Sequence, residues 1–389
     1  MTLPFVVFSD DWGEHPSSSQ HLFGQLAGEH RILWVNTIGM RRPTLSLTDL
    51  GKVVSKVSRM LNRSAAGAVS KAPSNIRVCQ PFMLPYSNIG AVRRLNKASV
   101  VRSVGQAARA AGIVDPVLVT TVPNACDYAA TVPKDLVVYY CVDDFSAWPG
   151  LDASLVRGME DMLVQRADVL LATSRKLYER LSASGKPVHM LTHGVDIDLF
   201  GREAPAEHPC LAGLRRPRAG YFGLIDDRTD KRLLEAVARR MPDFELVLTG
   251  RVETAVDALS ALGNVHFTGP VPYRDLPALI AGLDVLLLPY AVNEFSDTLS
   301  PLKMKEYLAT GKPVISTPIA EARAMSEYVT LAGTAEEWEA ALRAALSVDV
   351  AQRKRALATV MRGESWGAKA ERLQMLCKEA LQQRRRVNA

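Results

Sequence analysis

The chain of 389 residues is poor in aromatics, at 6%, and in cysteine, with five. Cys79, Cys126, Cys141, Cys210 and Cys377 are scattered and never in a C-x-x-C spacing, which argues against a disulfide framework or a cysteine zinc site. No stretch of about 18 uncharged apolar residues occurs, so no membrane-crossing helix is expected. The opening residues, MTLPFVVFSDDWG, lack the basic leader and long apolar core of a signal peptide. A soluble, cytoplasmic protein is the resulting expectation. No G-x-G-x-x-G follows a strand-like run, which disfavours a NAD-dependent enzyme.

What is present is an ordinary globular composition, 48% apolar and 23% charged, long enough for two domains with separate cores. The net charge of +6 is unevenly spread. Between Met40 and Ala110 stand thirteen Lys or Arg against one acid, Asp49. Within it, "GKVVSKVSRMLNRS" sets Val53, Val57, Met60 and Leu61 on one helical stripe and Lys52, Lys56, Arg59 and Arg63 on the next. Such a helix either lies on an anionic membrane or packs its apolar stripe into the domain. Nucleic acid is disfavoured as a partner, because residues 44 to 81 contain no aromatic side chain for base stacking.

Apolar runs ending in polar residues recur along the chain: "LPFVVFSD", "HRILWVNT", "DPVLVTT", "DLVVYYCVDD", "ADVLLATS" and "PVHMLTHG", with helical patterns between several of them. This rhythm predicts a parallel sheet covered on both faces. Residues 1–200 therefore read as one doubly wound α/β domain, and 201–218, rich in Gly, Pro and Ala without periodicity, as a linker. The pattern restarts over 219–360 with "AGYFGLI", "FELVLTG", "NVHFTG", "DVLLLPY" and "PVIST". Residues 361–389 are expected to form a C-terminal helix returning toward the first domain. Two such domains facing a cleft set the carboxyl ends of both sheets around one ligand.

The stretch "SPLKMKEYLATGKPVIST", residues 300–317, reads as a helix stopped by glycine and followed by a strand. Ser300 and Pro301 suit an N-cap and a first helical position. Lys303 and Glu306 fall one turn apart near the helix start, where free backbone N–H groups favour an anion. They form either an idle surface pair or a grip on a phosphate and the hydroxyls of a ribose. An echo, "SGKPVHML" against "TGKPVIST", marks Gly185 and Gly311 as helix stops and Lys312 as part of a turn, not of a phosphate loop.

"NVHFTGPVPYRDLPALIAGLDVLLLPY" followed by this stretch resembles the donor half of GT-B glycosyltransferases, in particular retaining glycosyltransferase family 4. "ADVLLATSRKLYERL", "THGVDIDLF", "VVYYCVDDFSAWPG" and "SDDWGEHPSSSQHL" extend the likeness, more loosely, toward a teichuronic acid and exopolysaccharide branch. The resemblance implies a GT-B fold of two Rossmann-like domains and transfer of a hexose from a UDP- or GDP-linked donor, with retention and no obligatory metal. A saccharide or lipid-linked acceptor is implied with it. For the donor it implies a site of Gly223, Arg228, Gly269, Val271, Tyr273, Asp297, Thr298, Ser300, Pro301, Leu302, Lys303 and Glu306. Glu306 matches the family's ribose-binding glutamate. Thr298, beside Asp297, stands where a sugar-contacting carboxylate is usual, and Leu224 stands where an arginine is usual. Arg228 and Lys303 are read as the groups neutralising the diphosphate, the alternative for Arg228 being a local pair with Asp226 or Asp230.

In the first domain, Asp143 and Asp144 end a strand where relatives carry a His-Asp pair. They either hold sugar hydroxyls and take the acceptor proton, or cap a turn. Asp11, Trp12, His15 and Trp148 are candidates for the acceptor side. Two other readings stay open: a GT-B nucleotide-sugar epimerase, and a degenerate scaffold or binding protein.

Overall fold

The computed structural model describes residues 2–13, 17–37, 72–84, 88–148, 150–202 and 206–387. The basic segment 51–64 and His15 lie outside the described residues. Thirteen strands are found among those described. The first sheet contains β1 (Phe5–Ser9), β2 (Ile32–Asn36), β3 (Ile76–Cys79), β4 (Val117–Thr120), β5 (Leu136–Cys141), β6 (Val169–Ala172) and β7 (Val188–Met190), in the order β3-β2-β1-β4-β5-β6-β7. The second contains β8 (Arg218–Phe222), β9 (Glu245–Thr249), β10 (Val265–Gly269), β11 (Val285–Leu288), β12 (Val314–Ser316) and β13 (Thr330–Leu331), in the order β10-β9-β8-β11-β12-β13. Neighbours within both sheets pair in parallel. The doubly wound α/β class expected from the apolar runs is the class observed.

The central strands explain why. β4, β5, β6 and β11 are buried at every position, as strands covered by helices on both faces must be. Each order reverses beside its first strand, between β1 and β4 and between β8 and β11, which opens a crevice at the carboxyl ends there. Two strands escaped the sequence reading. β3 sits at a sheet edge with Arg77 exposed in its middle, and β13 is two residues long.

The chain divides into two compact units, Met1–Thr192 with Lys369–Ala389, and His193–Ala368. In the first, the helix Trp366–Val387 packs its later part by meeting His30 through Gln374 at 2.7 Å and by an Arg384 bond to the Asp135 carbonyl at 2.6 Å. Residues 206–218 pack within the second unit, where Leu211 is fully buried, the His208 N–H donates to the Ala278 carbonyl at 3.0 Å and Glu207 pairs with Arg218 at 2.8 Å.

The echoed turns serve one purpose in both units. Gly185 and Gly311 adopt left-handed φ of 73° and 78°. The lysine after each reaches back to carbonyls left open at a helix end. Lys186 donates to those of Val164, Gln165 and Ala167, at the end of helix Ala153–Arg166, and Lys312 to those of Ala281 and Leu283, at the end of helix Leu276–Ala281.

Candidate active site

The carboxyl edge of the second sheet is floored by glycine. Gly223 follows β8 with φ 137° and Gly250 follows β9 with φ 143°. A Cβ on Gly250 would stand 1.8 Å from the Gly223 carbonyl oxygen, so side chains are excluded and the two backbones touch. The Gly223 N–H donates to the Thr249 carbonyl at 2.8 Å and the Gly250 N–H to the Gly269 carbonyl at 2.9 Å. Three neighbouring strand ends are thus stitched side by side. Val271 and Tyr273 continue from Gly269 and pack against the unit's core.

Above this floor runs the helix Leu302–Thr310. Its start differs from expectation: Pro301 occupies the N-cap in an extended conformation, and no side chain caps the first turn. The Ser300 hydroxyl donates instead to Glu321 at 3.4 Å, which takes it away from the helix amides. Lys303 is half-buried and turned inward. Its ammonium donates to the phenol oxygens of Tyr221 (3.0 Å) and Tyr290 (2.9 Å), which come from β8 and from just beyond β11, the two strands that flank the crevice. It lies over both rings, 4.6 and 5.2 Å from their centroids. Burial works against this charge, but the phenol oxygens more than offset it and hold the group above its ordinary pKa. Burial pushes the Tyr221 phenol up to about 12 despite the ammonium beside it, so both partners of that bond keep their protons. Gly223 makes room for the lysine, since a Cβ there would lie 2.6 Å from Nζ.

Glu306 is buried one turn on, and the surface-pair alternative falls with that burial. Burial pushes its carboxyl up to about 7, against the opposing pull of a hydrogen bond from Tyr273 and the charge of Lys303, while Asp196 adds to the rise. Between them, Lys305 points elsewhere. Its ammonium, 3% exposed as a residue, binds the His193 carbonyl at 2.6 Å and the Glu364 carboxylate. There Val195 and Ser365 form a parallel bridge, and Gly194 lies so close to Trp366 that a Cβ would meet the indole at 2.6 Å.

Arg228 sits in the loop after β8, its guanidinium gripped by Asp226 at 2.8 to 3.0 Å and its loop zipped to Tyr290 through Thr229. Its charge therefore arrives already matched. The Asp297 carboxylate accepts the Ala320 N–H at 3.0 Å, and the Thr298 hydroxyl donates to the Phe295 carbonyl at 2.7 Å. Both hold the turn that precedes the helix.

In the first unit the candidates are mostly committed to local structure. Asp144 accepts from the Ser146 N–H and hydroxyl, at 3.1 and 2.6 Å, and pairs with Arg180 at 3.2 Å, which is the turn-capping alternative. Behind it Arg180 also pairs with buried Glu160, which takes the Tyr139 hydroxyl at 2.6 Å. Asp143 accepts the Asp144 N–H at 2.8 Å and the Trp148 indole N–H at 3.0 Å, pinning an indole that leans on Phe145. The Trp12 ring is buried edge-on to Trp34, 4.9 Å between centroids, which corrects its assignment to an acceptor surface. Neighbouring Asp10 takes the Ser9 and Ser17 hydroxyls and the Gln20 amide, and the Asp11 carbonyl accepts the same Gln20 amide at 3.2 Å.

Three contributors went unnoticed in the sequence: Tyr221, Tyr290 and Gly250. A trace existed for the glycine, since both "AGYFG" and "FELVLTG" end a strand-like run on Gly. For the tyrosines the sequence offers no signal short of the strand order.

Residues 216–348 match the family described as Glycosyl transferases group 1. The chain is 29% identical over 201 residues to a putative teichuronic acid biosynthesis glycosyltransferase, TuaH, of Bacillus subtilis, covering 47% of this chain and 50% of that protein. It is 31% identical over 198 residues to a GDP-mannose-dependent alpha-mannosyltransferase of Mycolicibacterium smegmatis, covering 50% and 51%. The match thus spans about half the length of these curated relatives. Among solved structures, Anabaena HepE in complex with UDP and glucose has a TM-score of 0.65 at 13% identity, covering 97% of this chain and 100% of that one. Sucrose-phosphate synthase from Thermosynechococcus elongatus has 0.66 at 15%, covering 97% and 98%. These last likenesses establish the two-sheet architecture. The likeness to the group 1 glycosyltransferases thus lies in residues 216–348, and the two parallel Rossmann-like sheets are those of the GT-B fold.

Proposed function

We propose that the chain transfers a hexose from a UDP- or GDP-linked donor to a saccharide or lipid-linked acceptor, with retention of configuration. The reading rests on Lys303, an ammonium held between two phenol rings that makes no ion pair among the described residues, at the crevice between β8 and β11. A cation that makes no direct ion pair at the carboxyl edge of a doubly wound sheet suits an anionic ligand. Glu306, on the same helix, suits the two hydroxyls of a ribose once ionised.

The chemistry asks the protein for charge stabilisation more than for a nucleophile. As the glycosidic bond to the diphosphate breaks, negative charge grows on the departing phosphate. Lys303 and the uncapped first turn of its helix face that charge, with Arg228 as a weaker contributor because Asp226 already matches it. The same phosphate oxygen can take the acceptor hydroxyl's proton on the face it leaves, which gives retention. Asp143 acts in this scheme by fixing Trp148, whose indole offers a flat apolar surface to a pyranose ring.

A lipid-linked acceptor fits the basic stretch between residues 41 and 109. Helix Gly90–Ala110 carries Arg94, Arg102 and Arg109 exposed, no acidic residue, and Leu95 61% exposed, with Ile89 46% exposed just before it. Basic and apolar groups on one helix suit the inner face of an anionic membrane. Among the described residues no helix is long and apolar enough to cross one.

The test is direct. Purified protein is incubated with radiolabelled UDP- or GDP-hexose and a bacterial membrane extract, and label is followed into the lipid and polymer fractions. Transfer by the native chain and its loss in Lys303→Ala are expected. Absence of transfer from every donor, or full transfer by Lys303→Ala, discards the reading.

A further inference from the structure

The two tyrosines around Lys303 are not equivalent. An ammonium has three N–H donors, and two of them go to Tyr221 and Tyr290. Tyr221 spends its own proton, since its hydroxyl donates to the Leu224 carbonyl at 2.8 Å. Its bonding is complete, and its role toward Lys303 is to position it. Tyr290 accepts from Lys303, but among the described residues its own hydroxyl proton has no acceptor, although the residue is only 4% exposed. A buried hydroxyl with an unspent proton beside a lysine with an unspent N–H is an incomplete arrangement.

We infer that Tyr290 is a ligand-binding residue, its hydroxyl and the third N–H of Lys303 converging on one phosphate oxygen of a nucleoside diphosphate. The two donor atoms are 2.9 Å apart, close enough for a single oxygen to accept from both. Space beside them is kept open by Gly223. Leu224, which brings no charge where the resemblance led one to expect an arginine, contributes its carbonyl instead by locking Tyr221. The cradle therefore takes its positive charge from Lys303 and its second donor from a hydroxyl. This rests on the reading of the crevice as a nucleotide-sugar site.

Isothermal titration of the full chain with UDP, GDP, uridine and guanosine tests it. Tyr290→Phe keeps the ring and is expected to weaken the preferred diphosphate by about tenfold or more, as for a lost hydrogen bond to a charged group, while leaving the matching nucleoside unchanged. Nucleoside affinity serves as the check on folding. Native affinity for the diphosphate in Tyr290→Phe, with Lys303→Ala still weakened, overturns the inference and leaves the site standing. Failure of the native chain to bind either diphosphate overturns both. If the Phe variant does not fold, Tyr290→Gln, which retains an N–H donor, is to be compared with Tyr290→Leu. Gln is expected to bind the diphosphate at least about fivefold more tightly, and equal affinities overturn the inference.

Discussion

The two sheets share a strand order and a crevice, and they spend the polar groups at that crevice differently. In the first unit Asp10 and Asp144 are consumed by hydroxyls, amides and an arginine of their own unit. In the second, Lys303 and Tyr290 are each fixed in place with one donor left over. The fold prepares the same location twice, and what marks one of them as the proposed site is residual bonding capacity on groups that are already rigid.

Experiments that break this contrast differ in size. Largest is Lys303→Ala, expected to lower kcat/KM by about 100 to 1000-fold, as for loss of one stabilising group at a developing charge, with the melting temperature little changed. Steady-state kinetics with a matched melting curve checks it. Next, Gly250→Ala forces a side chain onto the Gly223 carbonyl at a φ that favours glycine, and should cost about 3 kcal/mol or more in urea unfolding. Asp144→Ala, the first unit's counterpart, should cost about 1 to 3 kcal/mol of stability through the lost cap and the stranded Arg180, while donor affinity stays native. A large loss of donor affinity in that variant would erase the distinction between the units.

Glu306 supplies the pH test. Its folded pKa, about 7, lies above the ordinary 4.5, so between those values the native state holds a proton that the unfolded chain has released. The stability it contributes is full below about pH 4.5 and is lost as pH rises through about 7. Nucleoside affinity should move the opposite way, rising through about 7 as the carboxylate forms to accept ribose hydroxyls. Glu306→Gln should flatten both curves. Smallest are Lys186→Met and Lys312→Met, each expected to cost about 0.3 to 1 kcal/mol with no effect on transfer. Unequal costs would show that the echoed turns are alike in shape but not in strength.

Much of this was legible in the chain. Buried parallel strands announce themselves as unbroken apolar runs, and Gly311, Lys303 and Glu306 stood out by their spacing. The edge strand β3 was hidden because Arg77 interrupts its apolar pattern, as solvent at a sheet edge permits. Ser300 misled because a Ser-Pro pair reads as a cap wherever it precedes a helix, and only the nearby Glu321 reveals where its hydroxyl goes. Trp12 misled because a loop sequence does not tell whether its aromatic folds back on the strands. The pairing of Tyr221 with Tyr290 needs the adjacency of β8 and β11, which strand order decides and local pattern does not.

Lys305 ties the two ends of the second unit together. It holds the carbonyl of His193, the first residue of the second unit, and the carboxylate of Glu364, close to its last, where Val195 and Ser365 are already bridged. That unit's beginning and end are therefore knotted together under the same helix that carries Lys303 and Glu306. Its chain is topologically close to a ring, and a circular permutant joined at that knot and reopened in a distant surface loop inherits the crevice intact.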